Sequence, residues 1–152
     1  ETANEYLTFS IAPKSGYQVS LTTLDASFRR SSTGPNTFQW VYSLDSFATS
    51  GVNIGSEFSY TDSGGTTGDD QSQINLSSIS ALQSITATAT FRLYGYGGSS
   101  GAGTFAIGRN GTDLAIGGSL AAVPEPSTYA AIFGLITLIG VVVIRRRQKQ
   151  TV

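Results

Sequence analysis

Apolar and polar residues alternate along most of this chain with a period of two. Leu7, Phe9 and Ile11 alternate with Thr8 and Ser10, and Lys14-Ser15-Gly16 then interrupts the run. Such a row predicts a strand with one buried and one wet face. Tyr17, Val19 and Leu21 are odd positions, but Leu24, Ala26 and Phe28 are even. A β-bulge near Thr22-Thr23 keeps both halves facing one core. Phe38, Trp40, Tyr42 and Leu44 form the next apolar row, and Val52, Ile54, Phe58 and Tyr60 another. Residues 61–72 are a long polar loop, and Ile74 and Leu76 begin a short strand. Only residues 77–85 suggest a helical turn. The clearest alternation runs over 85–93, with Ile85, Ala87, Ala89, Phe91 and Leu93 on one side and Thr86, Thr88, Thr90 and Arg92 on the other. Around Asn110-Gly111 the pattern predicts a β-hairpin, because this pair suits the two positive φ angles of a type I′ turn. The whole body reads as all-β: an antiparallel β-sandwich or jelly roll of about eight strands.

The pattern changes abruptly near the C-terminus. From Pro126 to Ile144 no residue is charged, and Arg145, Arg146, Arg147 and Lys149 follow. As a helix this run is about 28 Å long at 1.5 Å per residue, close to the roughly 30 Å hydrocarbon core of a bilayer. It has no polar face, which argues against a surface helix of a globular domain. The division that follows is a β-sandwich ectodomain over 1–120, a linker with Pro-Glu-Pro over 121–126, a transmembrane helix over 127–144 and a basic cytoplasmic tail over 145–152. The arginines place that tail on the cytoplasmic side and the body outside the cytoplasm.

Composition narrows the chemistry. The 152 residues include 18 Gly and no Cys, His or Met. A disulfide framework and thiolate metal sites are excluded, and the usual general base is missing. Residues 1–123 carry nine acids against five bases, Lys14, Arg29, Arg30, Arg92 and Arg109. A mildly acidic body argues against nucleic acid as a partner. The chain does not start with Met, so Glu1 reads as the start of a fragment or a processed chain. Upstream strands and an export signal stay open.

Residues 123–149 resemble the PEP-CTERM protein-sorting signal, in which a Pro-Glu-Pro triplet, a short transmembrane helix and a basic cluster follow one another. Here these are Pro124-Glu125-Pro126, Ser127–Ile144 and Arg145–Lys149. The resemblance implies an exported substrate of exosortase, a multi-pass membrane processing enzyme of gram-negative bacteria, often of those making extracellular polysaccharide. It implies inner-membrane anchoring before processing and a place in the cell envelope or extracellular matrix afterwards. Physical chemistry suits these roles. The prolines hold the triplet extended, Glu125 resists entry into hydrocarbon, and the arginines fix orientation. The segments 24–48 and 91–108 also look like the β-sandwich region that often precedes this signal.

The body offers weaker candidates. Tyr94 and Tyr96 have wet-face parity and suit stacking on sugar rings, whereas Trp40 falls on a core row. Asp62, Asp69 and Asp70 lie in a Gly-rich loop, in a spacing that matches no calcium motif and reads as solvated. Arg29-Arg30 reads as solubilising charge or part of an ion pair. Asp25 and Asp45 have no other catalytic group to accompany them. No catalytic residue, metal or cofactor is expected. The expected function is a non-enzymatic structural or adhesive envelope protein that contacts exosortase and the lipid bilayer. The alternative is a polysaccharide-binding jelly-roll module anchored at the membrane.

Overall fold

The computed structural model describes residues 6–61, 68–108, 113–124 and 130–139. In them the alternation becomes nine strands: β1 (Tyr6–Ile11), β2 (Tyr17–Arg30), β3 (Thr37–Ser43), β4 (Val52–Ser59), β5 (Asp69–Asp70), β6 (Ile74–Asn75), β7 (Ala89–Tyr96), β8 (Phe105–Ile107) and β9 (Leu114–Ala122). A 3-10 turn occupies Ser80–Leu82, where a helical turn was expected. A helix runs over 130–139. Contacts divide the chain into two compact units, Glu1–Ala121 and Ala122–Val152.

Four strands form an antiparallel sheet in the order β1-β7-β3-β4. The long β2 carries the other sheet. β5 and β6 follow one another as one lane beside it, while β8 and β9 also pair with it. The parity switch predicted within β2 is present: Val19 and Leu21 are buried on odd positions, Leu24, Ala26 and Phe28 on even ones. It lets fourteen residues keep one face inward across a bend.

The inward rows of both sheets make one core. Phe28 of β2 stacks on Phe38 of β3 with ring centroids 5.8 Å apart, and tilts against Trp40 at 6.4 Å. Leu21, Leu24, Phe91, Leu93 and Ile54 are buried in the same cluster. Gly95 continues the inward row of β7 because a Cβ there would lie 2.9 Å from the Phe38 ring and 3.0 Å from Pro35. Opposite β3, the register shifts between Phe38 and Trp40. Gly55, at φ 64°, lies within the extra β4 residues of that shift.

Two expectations fail for topological reasons. The strand read over 85–93 begins only at Ala89. Ile85 instead bridges to Val19 of β2 through reciprocal backbone hydrogen bonds of 2.8 and 2.9 Å. Residues 86–88 therefore cross between sheets, and one alternating run serves two of them. Among the described residues β8 and β9, expected as a hairpin, do not pair with each other either. Gly108 N donates to Ser27 O, and Ser27 N donates to Asp113 O, so both strands continue along β2. Asn110 and Gly111 themselves lie outside the described residues.

Candidate functional site

Arg92, Tyr94 and Tyr96 project from alternate positions of β7 onto the outer face of the four-stranded sheet, as their parity requires. Pairing with β1 sets Tyr6 opposite Tyr94, and the two rings tilt together at 5.4 Å. The Arg92 guanidinium lies 4.1 Å over the Tyr6 ring and 3.8 Å over the Phe47 ring. Its Nη1 donates to the Tyr94 hydroxyl at 3.2 Å. Two aromatic rings thus hold the cation. Phe47 reaches this position from a tight turn in which Ser46 and Phe47 have φ of 59° and 63°. Such angles are costly for side-chain-bearing residues, and a local network holds them. Ser43 Oγ accepts from Phe47 N at 2.9 Å. Asp45 Oδ2 accepts from Thr49 N at 3.1 Å and from Thr49 Oγ1 at 2.6 Å.

The hydroxyls of Ser43 and Thr49 hold the Asp45 carboxyl below its ordinary range. Its role is therefore a staple for the turn. Asp25, on β2 of the other sheet, accepts from Gln73 Nε2 at 2.9 Å. The fold does not join these two carboxylates into a pair. Tyr94 is spent on the Arg92–Tyr6 cluster, which leaves Tyr96, 40% exposed, as the available ring. Partial burial and a hydrogen bond to the Glu57 carboxylate push the Tyr96 hydroxyl up to about 12.

Between β4 and the β5–β6 lane lies an open cleft of about 350 Å³, floored by Phe28, Ile54 and Phe58 and lipped by Asp70 and Gln71. Gln71 Oε1 accepts from Trp40 Nε1 at 2.7 Å, which ties the lip to the core. Trp40 is buried, as its row predicted. Asp69 and Asp70 are exposed on β5, and Asp62 lies outside the described residues. Among the described residues no group of three or more acidic side chains gathers to hold a metal ion. Arg30 departs from its expected solvent role. It is buried, with Nε donating to Pro35 O at 2.6 Å and Nη2 to Gly34 O at 2.7 Å and Ser32 O at 3.2 Å. Its charge organises the loop that follows its own strand. The run of Gly and Pro after it marked a tight loop, but not the cation at its centre.

The C-terminal unit is built differently. Pro124 is exposed. The helix over 130–139 presents Ile132, Phe133, Leu135, Ile136, Leu138 and Ile139 outward, each 51–67% exposed. At 100° per residue these positions cover about 220° of the circumference, and the small uncharged Ala130, Gly134 and Thr137 occupy the rest. The one hydroxyl among them, on Thr137, turns back to Phe133 O at 3.0 Å and Gly134 O at 2.8 Å. Ten helical residues are about 15 Å long, half the hydrocarbon core. Among the described residues no helix is long and apolar enough to cross a membrane; of the span expected over 127–144, only 130–139 lie among them. Glu125, Pro126, Arg145, Arg146, Arg147 and Lys149 lie outside the described residues.

Comparison with known families identifies this region. The family model of the PEP-CTERM protein-sorting motif matches residues 122–147. The match contains Pro124-Glu125-Pro126, the whole described helix and all three arginines, with Lys149 just beyond it. The motif marks a sorting-signal protein and implies export and membrane-associated processing by an exosortase. No curated protein and no solved structure matches the chain.

Proposed function

We propose that this chain is an exported envelope protein whose C-terminal segment crosses the inner membrane until exosortase cuts it near Pro124-Glu125-Pro126. The observation that carries the reading is the helix over 130–139, uncharged around its whole circumference, with six large apolar side chains exposed, and following the sorting triplet in the chain. A helix of this kind suits lipid. The internally bonded Thr137 hydroxyl supports the same solvent, since hydrocarbon offers no partner to a polar group. A helix over the whole of 127–144 would be about 27 Å long, close to the hydrocarbon core, and Arg145–Arg147 would then stop translocation. In that topology the prolines would favour an extended triplet at the outer interface.

For the body we propose a non-catalytic structural or adhesive role on a jelly-roll scaffold. Its lanes change sheet at each connection except the β3–β4 hairpin, in keeping with that architecture. Asp45 and Asp25, the candidate carboxylates, are engaged in structural bonds. The exposed Tyr96 ring supports a second reading, in which the outer sheet face stacks on a polysaccharide. Loss of glycan-array binding in Tyr96→Ala would be its mark.

Replacing Pro124, Glu125 and Pro126 together by Ala tests the sorting reading. Membrane insertion should persist while trimming of the tail stops. Blots of wild type and variant, with and without the exosortase gene, separate the outcomes. Trimming of the variant at the same place would assign the cut to another protease.

A further inference from the structure

The two margins of the β body are finished differently. β4 and the β5–β6 lane share one margin, where they flank the cleft. Neither is a good template for another strand. β5 and β6 are two residues long each, and β4 carries Glu57 and the kink at Gly55. Short strands, charges and bulges are the usual protections of a sheet edge. Phe28 pairs with Asp69 of β5 on one edge of β2 and with Ile107 of β8 on the other, which places the β8–β9 lane, with β1, at the opposite margin. There β9 runs for nine residues, LAIGGSLAA, without a charge or a proline. Among the described residues it pairs with β2 alone.

This margin is also incompletely covered. The β2 sheet is three lanes wide and faces four strands. Leu7, Phe9 and Ile11 of β1 point at the core but are only partly buried, whereas Phe91 and Leu93 on the neighbouring β7 are fully buried. Leu120 shares the parity of the core-facing Ile116, yet it is 70% exposed.

We propose that β9 pairs with β9 of a second copy of this chain, antiparallel about Gly118, so that one sheet runs through two molecules. The strand itself selects this occupant. A two-fold axis normal to the sheet keeps each residue on its own face, so only positions of equal parity meet. Gly118 is the centre that pairs the entire strand: Leu114 meets Ala122, and Ile116 meets Leu120. The exposed Leu120 of each copy then lies beside the half-buried Ile116 of the other, on the core side, at the margin where β1 lacks cover. No like charges approach, because the strand has none. The unpaired backbone groups of the edge satisfy one another.

The full chain in detergent micelles provides the test, with mass read by sedimentation. Wild type should be dimeric. Leu120→Lys sets an ammonium group opposite Ile116 of the other copy, and should raise the dissociation constant at least tenfold. The far-ultraviolet circular dichroism should not change, because Leu120 is not part of the buried core. The chain has no Cys, so Ser119→Cys gives one thiol per molecule, near the axis. A short bismaleimide should join these thiols, and Leu120→Lys should abolish the product. Ser50→Cys, in a loop of the other sheet, should give none. A monomer at all concentrations overturns the proposal, as does a dimer that Leu120→Lys leaves intact. Equal cross-linking at positions 50 and 119 overturns it too, by assigning the association to another surface.

Discussion

The β body and the C-terminal helix use the same apolar residue types with opposite orientation. In the body Phe28, Phe38 and Phe91 are almost completely buried, and Trp40 spends its one polar atom on Gln71. In the helix Phe133 and Leu138 face outward at 67% and 62% exposure. A polar loop or strand face accompanies each apolar row of the body, whereas the helix offers only Thr137, bonded to its own backbone. The contrast separates a unit that excludes water by its own packing from one that requires an apolar surrounding. Each large apolar side chain is worth about 1.5–3 kcal/mol when taken out of water, so six of them exposed on ten residues is a strong demand for another solvent.

Removing the residues after Val123 should break the contrast most completely. The shortened chain should be soluble without detergent, keep a β-type circular dichroism spectrum and melt in one transition, because the core cluster lies within the first unit. The full chain should need detergent or bilayer. Loss of cooperative melting on truncation would show that the body depends on its tail. Within the body, Phe28→Ala removes the ring shared by both sheets. It should cost about 3–5 kcal/mol in denaturant unfolding. A change below 1 kcal/mol would mean that the two sheets do not depend on this contact.

Arg30→Gln should cost less, about 1.5–3 kcal/mol, since charge-assisted bonds to three loop carbonyls are lost. Asp45 should give the smallest effect, readable as pH dependence. Its carboxyl ionises more readily in the fold than in the open chain. Its contribution is therefore present above the ordinary carboxylate range and fades as pH falls through the lowered value. Asp45→Asn should flatten the stability profile below about pH 4. An unchanged profile would assign the acid dependence to other carboxylates.

Period-two alternation carried most of the fold, since it reports which side of each strand faces the core. It located the rows of β1, β2, β3 and β7 and even the parity switch inside β2. It could not say which strands are neighbours. Ile85 continues the rhythm of Phe91 and Leu93, yet it pairs in the opposite sheet, because alternation is local and sheet membership is not. The β8–β9 region failed for the same reason: a turn-forming pair suggested a hairpin, and β2 was the better partner for both strands. The outward parity of Arg92, Tyr94 and Tyr96 was legible. The Tyr6 and Phe47 rings on Arg92 were not, since strand pairing and a strained turn deliver them. The sorting segment was the most legible part, because composition and order carry it without any tertiary contact.

The most direct test of the account is the C-terminal end of the protein recovered from cells with active exosortase. Peptide mapping of the envelope or extracellular fraction should find the β body through β9 and no peptide from residues 130–152. The same cells without the enzyme should retain those peptides in the membrane fraction. Recovery of the intact tail on the mature protein, in cells that process other substrates of the enzyme, would contradict the account and make this segment a permanent anchor.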